Sequence, residues 1–189
     1  MSKKYQVIYA DPPWTYPKTG GTKNSRGMAK QFYPTMSIED IKALPIKDIS
    51  DDNSILFLWV TWPQLQNGLD VIKAWGFEYF GLGFEWIKKT NTGKDFFGMG
   101  YWTRANSEVC LLATRGKLKP NSHAVRQLVY AVRGKHSEKP AEVRDRIVEL
   151  VGDLSRVELF ARQKTSGWDI WGNELENDIE LQSNLKEKE

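Results

Sequence analysis

Val7 to Ala10 is an unbroken apolar run that ends on Asp11, Pro12, Pro13 and Trp14. The run predicts a buried strand. The two prolines, with fixed φ and no N–H to donate, stop it in a rigid tip. Ile55 to Val60 is apolar on both faces, which predicts a strand buried in a parallel sheet. Between them, Thr15 to Phe32 holds Gly20, Gly21, Gly27 and four basic residues with almost no aliphatic ones. That is a long loop, and loops of this length in a compact domain are functional or disordered. Ser37, with acidic Asp40 three positions on, caps a short helix from Ile38 to Leu44. Thr61 to Pro63 opens a second helix, with Leu65, Leu69, Ile72 and Trp75 at helical spacing and a stop at Gly76.

Phe77 to Lys88 predicts another strand. Lys89 to Thr103 then interleaves Gly93, Lys94, Gly98, Gly100, Tyr101 and Trp102, a composition suited to stacking and phosphate contact. Ser107 to Thr114 and Gln127 to Val132 predict two more strands, joined by a basic turn with Arg115, Lys117 and Lys119. Ser137, Glu138, Lys139 and Pro140 open a helix that places Val143, Ile147, Leu150 and Val151 on one face. Val157 to Ala161 predicts the last buried strand. Strands alternating with helices mean an α/β layer fold with a mostly parallel sheet, and no internal repeat or second domain boundary is visible. Ligands of open α/β sheets bind outside the carboxyl ends of the strands, where Asp11 to Trp14 fall.

Composition narrows the class. With 189 residues, 40% hydrophobic and 12% aromatic, the chain can bury one sizeable core. The run from Ile55 to Val60 is too short to span a bilayer, and Met1 to Tyr5 carries no apolar signal region. A cytoplasmic protein without a membrane partner is expected. Cys110 is the single cysteine, so no internal disulfide forms, and its apolar stretch predicts core filler. One cysteine and two histidines give no zinc-ligand spacing, and no metal site is expected. The net charge of +3 is unevenly spread. Residues 1 to 36 carry six Lys and Arg against Asp11 alone, whereas residues 173 to 189 carry six acidic residues against two lysines. Basic residues around the tip would attract phosphates, while the acidic end predicts a solvated tail.

The tip offers one carboxylate, backbone carbonyls beside the prolines and a flat aromatic face. Those are hydrogen-bond acceptors and a stacking surface, which suit a planar ring with an exocyclic amino group. Taken singly, each has an ordinary structural reading as turn, turn former or core ring. The four together at a strand's carboxyl end are more specific. Neither a dinucleotide fingerprint nor a phosphate-binding glycine loop occurs, which argues against hydride transfer and nucleotide hydrolysis.

These residues resemble the N6-adenine methyltransferases, a family that includes the catalytic subunit of the mRNA adenosine methyltransferase and bacterial and phage DNA enzymes. The similarity runs from Tyr5 to about Leu175. It takes in Ala10 to Trp14, Tyr33-Pro34-Thr35-Met36-Ser37, Leu56 to Thr61, Lys139-Pro140, Glu158 to Arg162 and Gly172-Asn173. The resemblance implies a Rossmann-like, S-adenosylmethionine-dependent methyltransferase sheet in permuted order, with the catalytic motif first and the methyl-donor strand near the C-terminus. On that reading residues 1–175 are the methyltransferase domain and residues 176–189 an acidic tail. Asp11, Pro12, Pro13 and Trp14 would hold the target amino group. Lys139 would pair with the carboxylate of S-adenosylmethionine, while Asp11, Phe160, Arg162, Thr165 and Asn173 would line the rest of its site.

Two departures stand out. The mRNA enzyme has a His-Asn pair shortly after the arginine, where this chain has Lys164 and Thr165. That enzyme also has an upstream segment that helps hold the cofactor's adenine, and here only a few residues precede the first strand, so adenine is expected to be gripped differently.

The implied reaction is methylation of adenine N6 in nucleic acid, DNA first, on a flipped or unpaired base. Lys18, Lys23, Arg26 and Lys30 in the first loop and Lys94, Tyr101, Trp102 and Arg104 in the second are the expected nucleic-acid contacts. The alternatives are N6 methylation of adenosine in RNA, amino methylation of cytosine, which more often has Ser in place of Asp11, and a catalytically inert nucleic-acid-binding subunit. Inert partners typically lose the Asp-Pro-Pro-Trp residues, and here they are intact. Homodimers and heterodimers are both compatible with the resemblance.

Overall fold

A computed structural model describes residues 3 to 16, 35 to 100, 102 to 134 and 138 to 181. The proline tip ends β1 (Tyr5–Ala10) where the sequence demands. Ser37 caps α1 (Ile38–Ala43), its hydroxyl accepting from the Asp40 N–H. A one-turn helix not expected from the sequence, α2 (Ile46–Ile49), leads into β2 (Ser50–Val60). A 3₁₀ turn at Trp62–Gln64 then opens α3 (Leu65–Ala74), which stops at Gly76 with its φ of 82°. β3 (Glu78–Lys89), β4 (Ser107–Arg115) and β5 (Leu128–Val132) follow, then α4 (Glu142–Val151), β6 (Arg156–Leu159) and β7 (Asp169–Trp171).

All seven strands form one sheet in the order β5-β3-β4-β2-β1-β6-β7. β1 pairs in parallel with β2 and β6, as does β3 with β5 and β6 with β7. The mostly parallel sheet is as expected, with one exception: β4 runs antiparallel to both β2 and β3. An apolar strand buried on both faces carries no mark of its direction, so periodicity could not reveal the reversal.

The sheet is covered on both sides. On one face α1 and α3 bury Leu56, Leu58, Val60, Leu111, Ile41, Ile72 and Trp75 in one cluster. The Trp75 indole N–H donates to the Ile41 carbonyl at 2.9 Å. Gly68 permits the close seat of α3, since a Cβ there would lie 2.5 Å from Val60 Cγ1. On the other face α4 places Val143, Ile147 and Val151 against Val7, Tyr9, Phe57, Trp59 and Trp86. A bidentate pair lies within this second layer: Arg144 donates to Glu158 at 2.7 and 2.6 Å. Cys110 is fully buried among the same residues, as expected of core filler. Among the described residues no helix is long and apolar enough to cross a membrane.

Three boundaries differ from the sequence reading. Lys139 and Pro140 do not open α4. They precede it, with Ala141 as its first cap, so the lysine is on an irregular segment free of the helical repeat. β6 is not the last strand, because the short β7 adds an edge beyond it. Finally, the start of the acidic segment is docked on the sheet. The Asp178 N–H donates to Ile170 O at 3.0 Å, Gly172 N–H donates to Asn177 Oδ1 at 2.7 Å, and Ile179 and Leu181 pack on the core. Residues 182 to 189 lie outside the described part.

Candidate active site

β1, β2, β3, β5, β6 and β7 all point the same way, so their carboxyl ends define one rim, and the reversed β4 starts there. β1 lies between β2 and β6, which the chain reaches by separate excursions. That is the switch position where such sheets open a crevice. Asp11, Pro12, Pro13, Trp14, Tyr16, Thr61, Glu108, Lys139 and Arg162 line an open cleft there, floored by Trp59.

The tip is held by its own backbone. Trp14 N–H donates to Pro12 O at 2.9 Å, and Met36 N–H donates to Pro13 O at 3.0 Å. The Pro12 oxygen is thereby fixed in direction while keeping a second lone pair to offer. Beside it, Lys139 Nζ donates to Asp11 Oδ2 at 2.7 Å and stands 3.2 Å from Glu108 Oε2. Lys88 donates to the other oxygen of Glu108 at 2.5 Å. The result is an alternating chain of charges, Asp11, Lys139, Glu108 and Lys88. Lys139 is 8% exposed and its ammonium lies 5.5 Å from the centre of the Trp59 ring.

Burial sets the protonation of this group. It pushes the Asp11 carboxyl above the ordinary carboxylate range, against the pull of Lys139 and Arg162, and the Glu108 charge adds to the rise. Burial acts upward on Glu108 too, but Lys139 and Lys88 outweigh it and leave that carboxyl below its ordinary value. For Lys139, burial disfavours the cation, yet Asp11 and Glu108 overcome it and keep the amine charged. A cation held between two carboxylates in a partly dry cleft is fixed in position and in charge.

Trp14 differs from expectation. The ring is only 6% exposed, its N–H donates to Trp59 O at 3.0 Å, and it belongs to the cluster beneath α1 and α3. The structure therefore gives it a wall of the cleft and the core behind, with little open face.

The residues expected to hold S-adenosylmethionine divide into two groups. Lys139 and Arg162 line the cleft with Asp11. Phe160, Thr165 and Asn173 fall outside that lining. Phe160 and Asn173 nonetheless sit on the same rim, one residue after β6 and two after β7. Thr165 is on the stretch that runs back from the rim to β7, where its carbonyl accepts from Trp168 N–H at 3.1 Å. Phe160 has φ of +62°, the one positive value at a non-glycine among the described residues. A bulky residue held there carries strain of about 1–3 kcal/mol, and such strain collects at ligand clamps. Its ring meets Trp171 edge-on at 5.3 Å. A Cβ on Gly172 would lie 2.4 Å from Ala161 O, so only glycine lets the two strand ends close. A strained aromatic, a cation and a tight glycine turn at one strand end fit a small cationic donor with a purine and a carboxylate.

Of the expected nucleic-acid contacts, Lys94, Trp102 and Arg104 lie on the loop between β3 and β4, which opens on the same rim. Trp102 is 92% exposed. Arg104 donates to Gly100 O at 3.2 Å, with its guanidinium 5.0 Å from the centre of the Phe97 ring. Lys18, Lys23, Arg26, Lys30 and Tyr101 lie outside the described residues.

Glu108, Lys88 and Tyr16 were missed in the sequence. Glu108 could have been flagged as an acidic residue within an otherwise apolar strand, since a buried carboxylate needs a partner. Tyr16 falls within the loop that the sequence predicts from Thr15, and nothing in its neighbours marks it out.

The chain is similar to known methyltransferases over most of its length. A family model described as MT-A70 matches residues 5–174. The type II methyltransferase M.MunI of Mycoplasma sp is 37% identical over 95% of this chain and 82% of its own length. The N(6)-adenosine-methyltransferase MT-A70-like protein of Drosophila melanogaster is 29% identical over 92% of this chain. The human N(6)-adenosine-methyltransferase catalytic subunit METTL3 is 26% identical over 92% of this chain. The chain spans only 27% and 28% of those two proteins.

Proposed function

Because the chain belongs to the MT-A70 family, we propose that it transfers a methyl group from S-adenosylmethionine to the exocyclic N6 of adenine in DNA. The observation that carries this reading is the pairing of Asp11 with Lys139 beside the Pro12 carbonyl, at the mouth of a cleft on the rim of the sheet. The choice of DNA over RNA rests on M.MunI, the type II relative matched along most of its length. The adenosine methyltransferases are matched over about a quarter of theirs.

The amino nitrogen of adenine is a weak nucleophile because its lone pair is delocalised into the ring. Asp11 accepts one of its hydrogens and Pro12 O the other, which draws the nitrogen toward a tetrahedral shape with a directed lone pair. Positive charge grows on that nitrogen as the new bond forms, and the fixed carboxylate meets it without reorganising. Asp11 is also the nearest acceptor for the proton the nitrogen then sheds. S-adenosylmethionine supplies an activated methyl on its sulfonium, so the protein's remaining task is in-line alignment, an effect worth about 7 kcal/mol or more in well-oriented systems. Lys139 and Arg162 are the cations for the donor's amino-acid end. Phe160, Thr165 and Asn173 are the residues assigned to its nucleoside.

A base inside a duplex is out of reach, and extruding it costs a few kcal/mol. Lys94, Trp102 and Arg104, with the basic residues of the first loop, are assigned to gripping the strand. The deciding experiment incubates the protein with labelled S-adenosylmethionine and duplex DNA, single-stranded DNA or single-stranded RNA, then digests the product to nucleosides. Label in N6-methyldeoxyadenosine is the expected result. Label in N6-methyladenosine from RNA alone, or in methylcytosine, overturns it.

A further inference from the structure

We infer that the target base stacks on Tyr16 and not on Trp14, a reading that rests on the adenine methylation proposed above. The Asp-Pro-Pro-Trp pattern assigns that role to the tryptophan, yet the fold uses its ring elsewhere. Trp14 is 6% exposed and its N–H is committed to the Trp59 carbonyl. Its cluster lies on the α1 and α3 side of the sheet, away from α4. A purine needs an open aromatic face to lie on. Trp59, at the floor of the cleft, is fully buried and donates its own N–H to the Tyr9 hydroxyl at 2.7 Å.

Among the described residues that line the cleft, Tyr16 is the aromatic with substantial open surface, at 40% exposed. It is also built in place. Its hydroxyl lies 2.8 Å from Thr61 Oγ1, at the end of β2. At its root, the Thr15 hydroxyl donates to Met36 O at 2.7 Å, and Thr15 O accepts from Gln64 Nε2 at 2.9 Å. Gln64 is buried and receives a second bond from Asn67. A ring pinned at both ends loses little freedom when a base settles on it. Tyr16 shares its cleft with Asp11 and Pro12, so one bound base can meet acceptors at its amino edge and this ring on its face.

The test uses the full chain and a DNA substrate that the wild type methylates. Tyr16→Ala is expected to lower kcat/KM for DNA about tenfold or more, the scale of a lost base–aromatic stack. Its melting temperature and its calorimetric affinity for S-adenosylmethionine should match the wild type. Tyr16→Phe keeps the ring and should stay within about threefold of wild type. Tyr16→Leu, apolar but without a π face, replaces the alanine variant if that one fails to fold. With 2-aminopurine at the methylated position, emission on binding should be stronger in the variant lacking the ring than in wild type, since stacking quenches it. Alanine or leucine variants as active as wild type overturn the inference, as does a phenylalanine variant as impaired as alanine. A wild-type protein that methylates no adenine overturns the parent reading instead, and this one with it.

Discussion

Lys139 and Asp11 stand 128 positions apart in the chain and 2.7 Å apart in the cleft. Lys139 precedes α4 and Asp11 follows β1, so their meeting depends on α4 starting at the rim where β1 ends. The pair holds the carboxylate beside the Pro12 carbonyl, the geometry on which the proposed reaction turns.

Removing that carboxylate should stop the chemistry. Asp11→Ala is expected to lower kcat by about 10²–10³-fold or more, the effect of deleting a preorganised electrostatic group. Affinity for S-adenosylmethionine, measured by calorimetry, should fall much less. Near-normal turnover would assign the carboxylate another role.

Lys139→Met leaves Asp11 and Glu108 facing each other without the cation between them. Breaking a buried pair strands its partner charge, and a loss of about 3 kcal/mol is expected in denaturant unfolding, toward the low end because Asp11 keeps 25% of its side chain exposed. Glu108 retains Lys88, so Glu108→Gln should cost less than the lysine change.

The rate should also carry a signature in pH. Asp11 meets the growing positive charge with a negative one only when ionised, and burial, helped by Glu108, raises its carboxyl above the ordinary range. Activity should therefore fall with decreasing pH through a midpoint higher than that of a free carboxylate. Glu108→Gln removes one charge that raises it, so the acid limb should move to lower pH. A limb that stays put in this variant would separate the two groups.

Arg104 and Trp102 give a test of the strand grip. Arg104→Ala should weaken DNA binding across sequences and reduce the salt slope by about 1, as expected for one phosphate contact. Trp102→Ala should weaken binding with little change in slope, because stacking releases no counterion. Both are measurable by fluorescence anisotropy across a salt series.

Much of this was legible in the residues. Two prolines after an apolar run end β1 wherever they occur, and Ser37 with Asp40 starts α1 by a local hydrogen bond. Such features are decided within a few positions. The direction of β4 is decided instead by which neighbours it finds, and a doubly buried strand looks the same either way. The pairing of Glu108 was unreadable for a related reason. Its partners, Lys88 and Lys139, come from 20 residues before it and from a segment beyond β5. The burial of the Trp14 ring was unreadable too, because a motif names a residue type without saying which way the ring turns.

The reversed strand has one further consequence. Since β4 runs against its neighbours, the connection from β3 is a hairpin whose bend falls on the same rim as the cleft. Glu108 and Lys88 are rooted in paired strands, and the bend runs between them. On the proposed reading, a change in the length or composition of that bend alters which sequence is grasped without disturbing the methyl-transfer chemistry beneath.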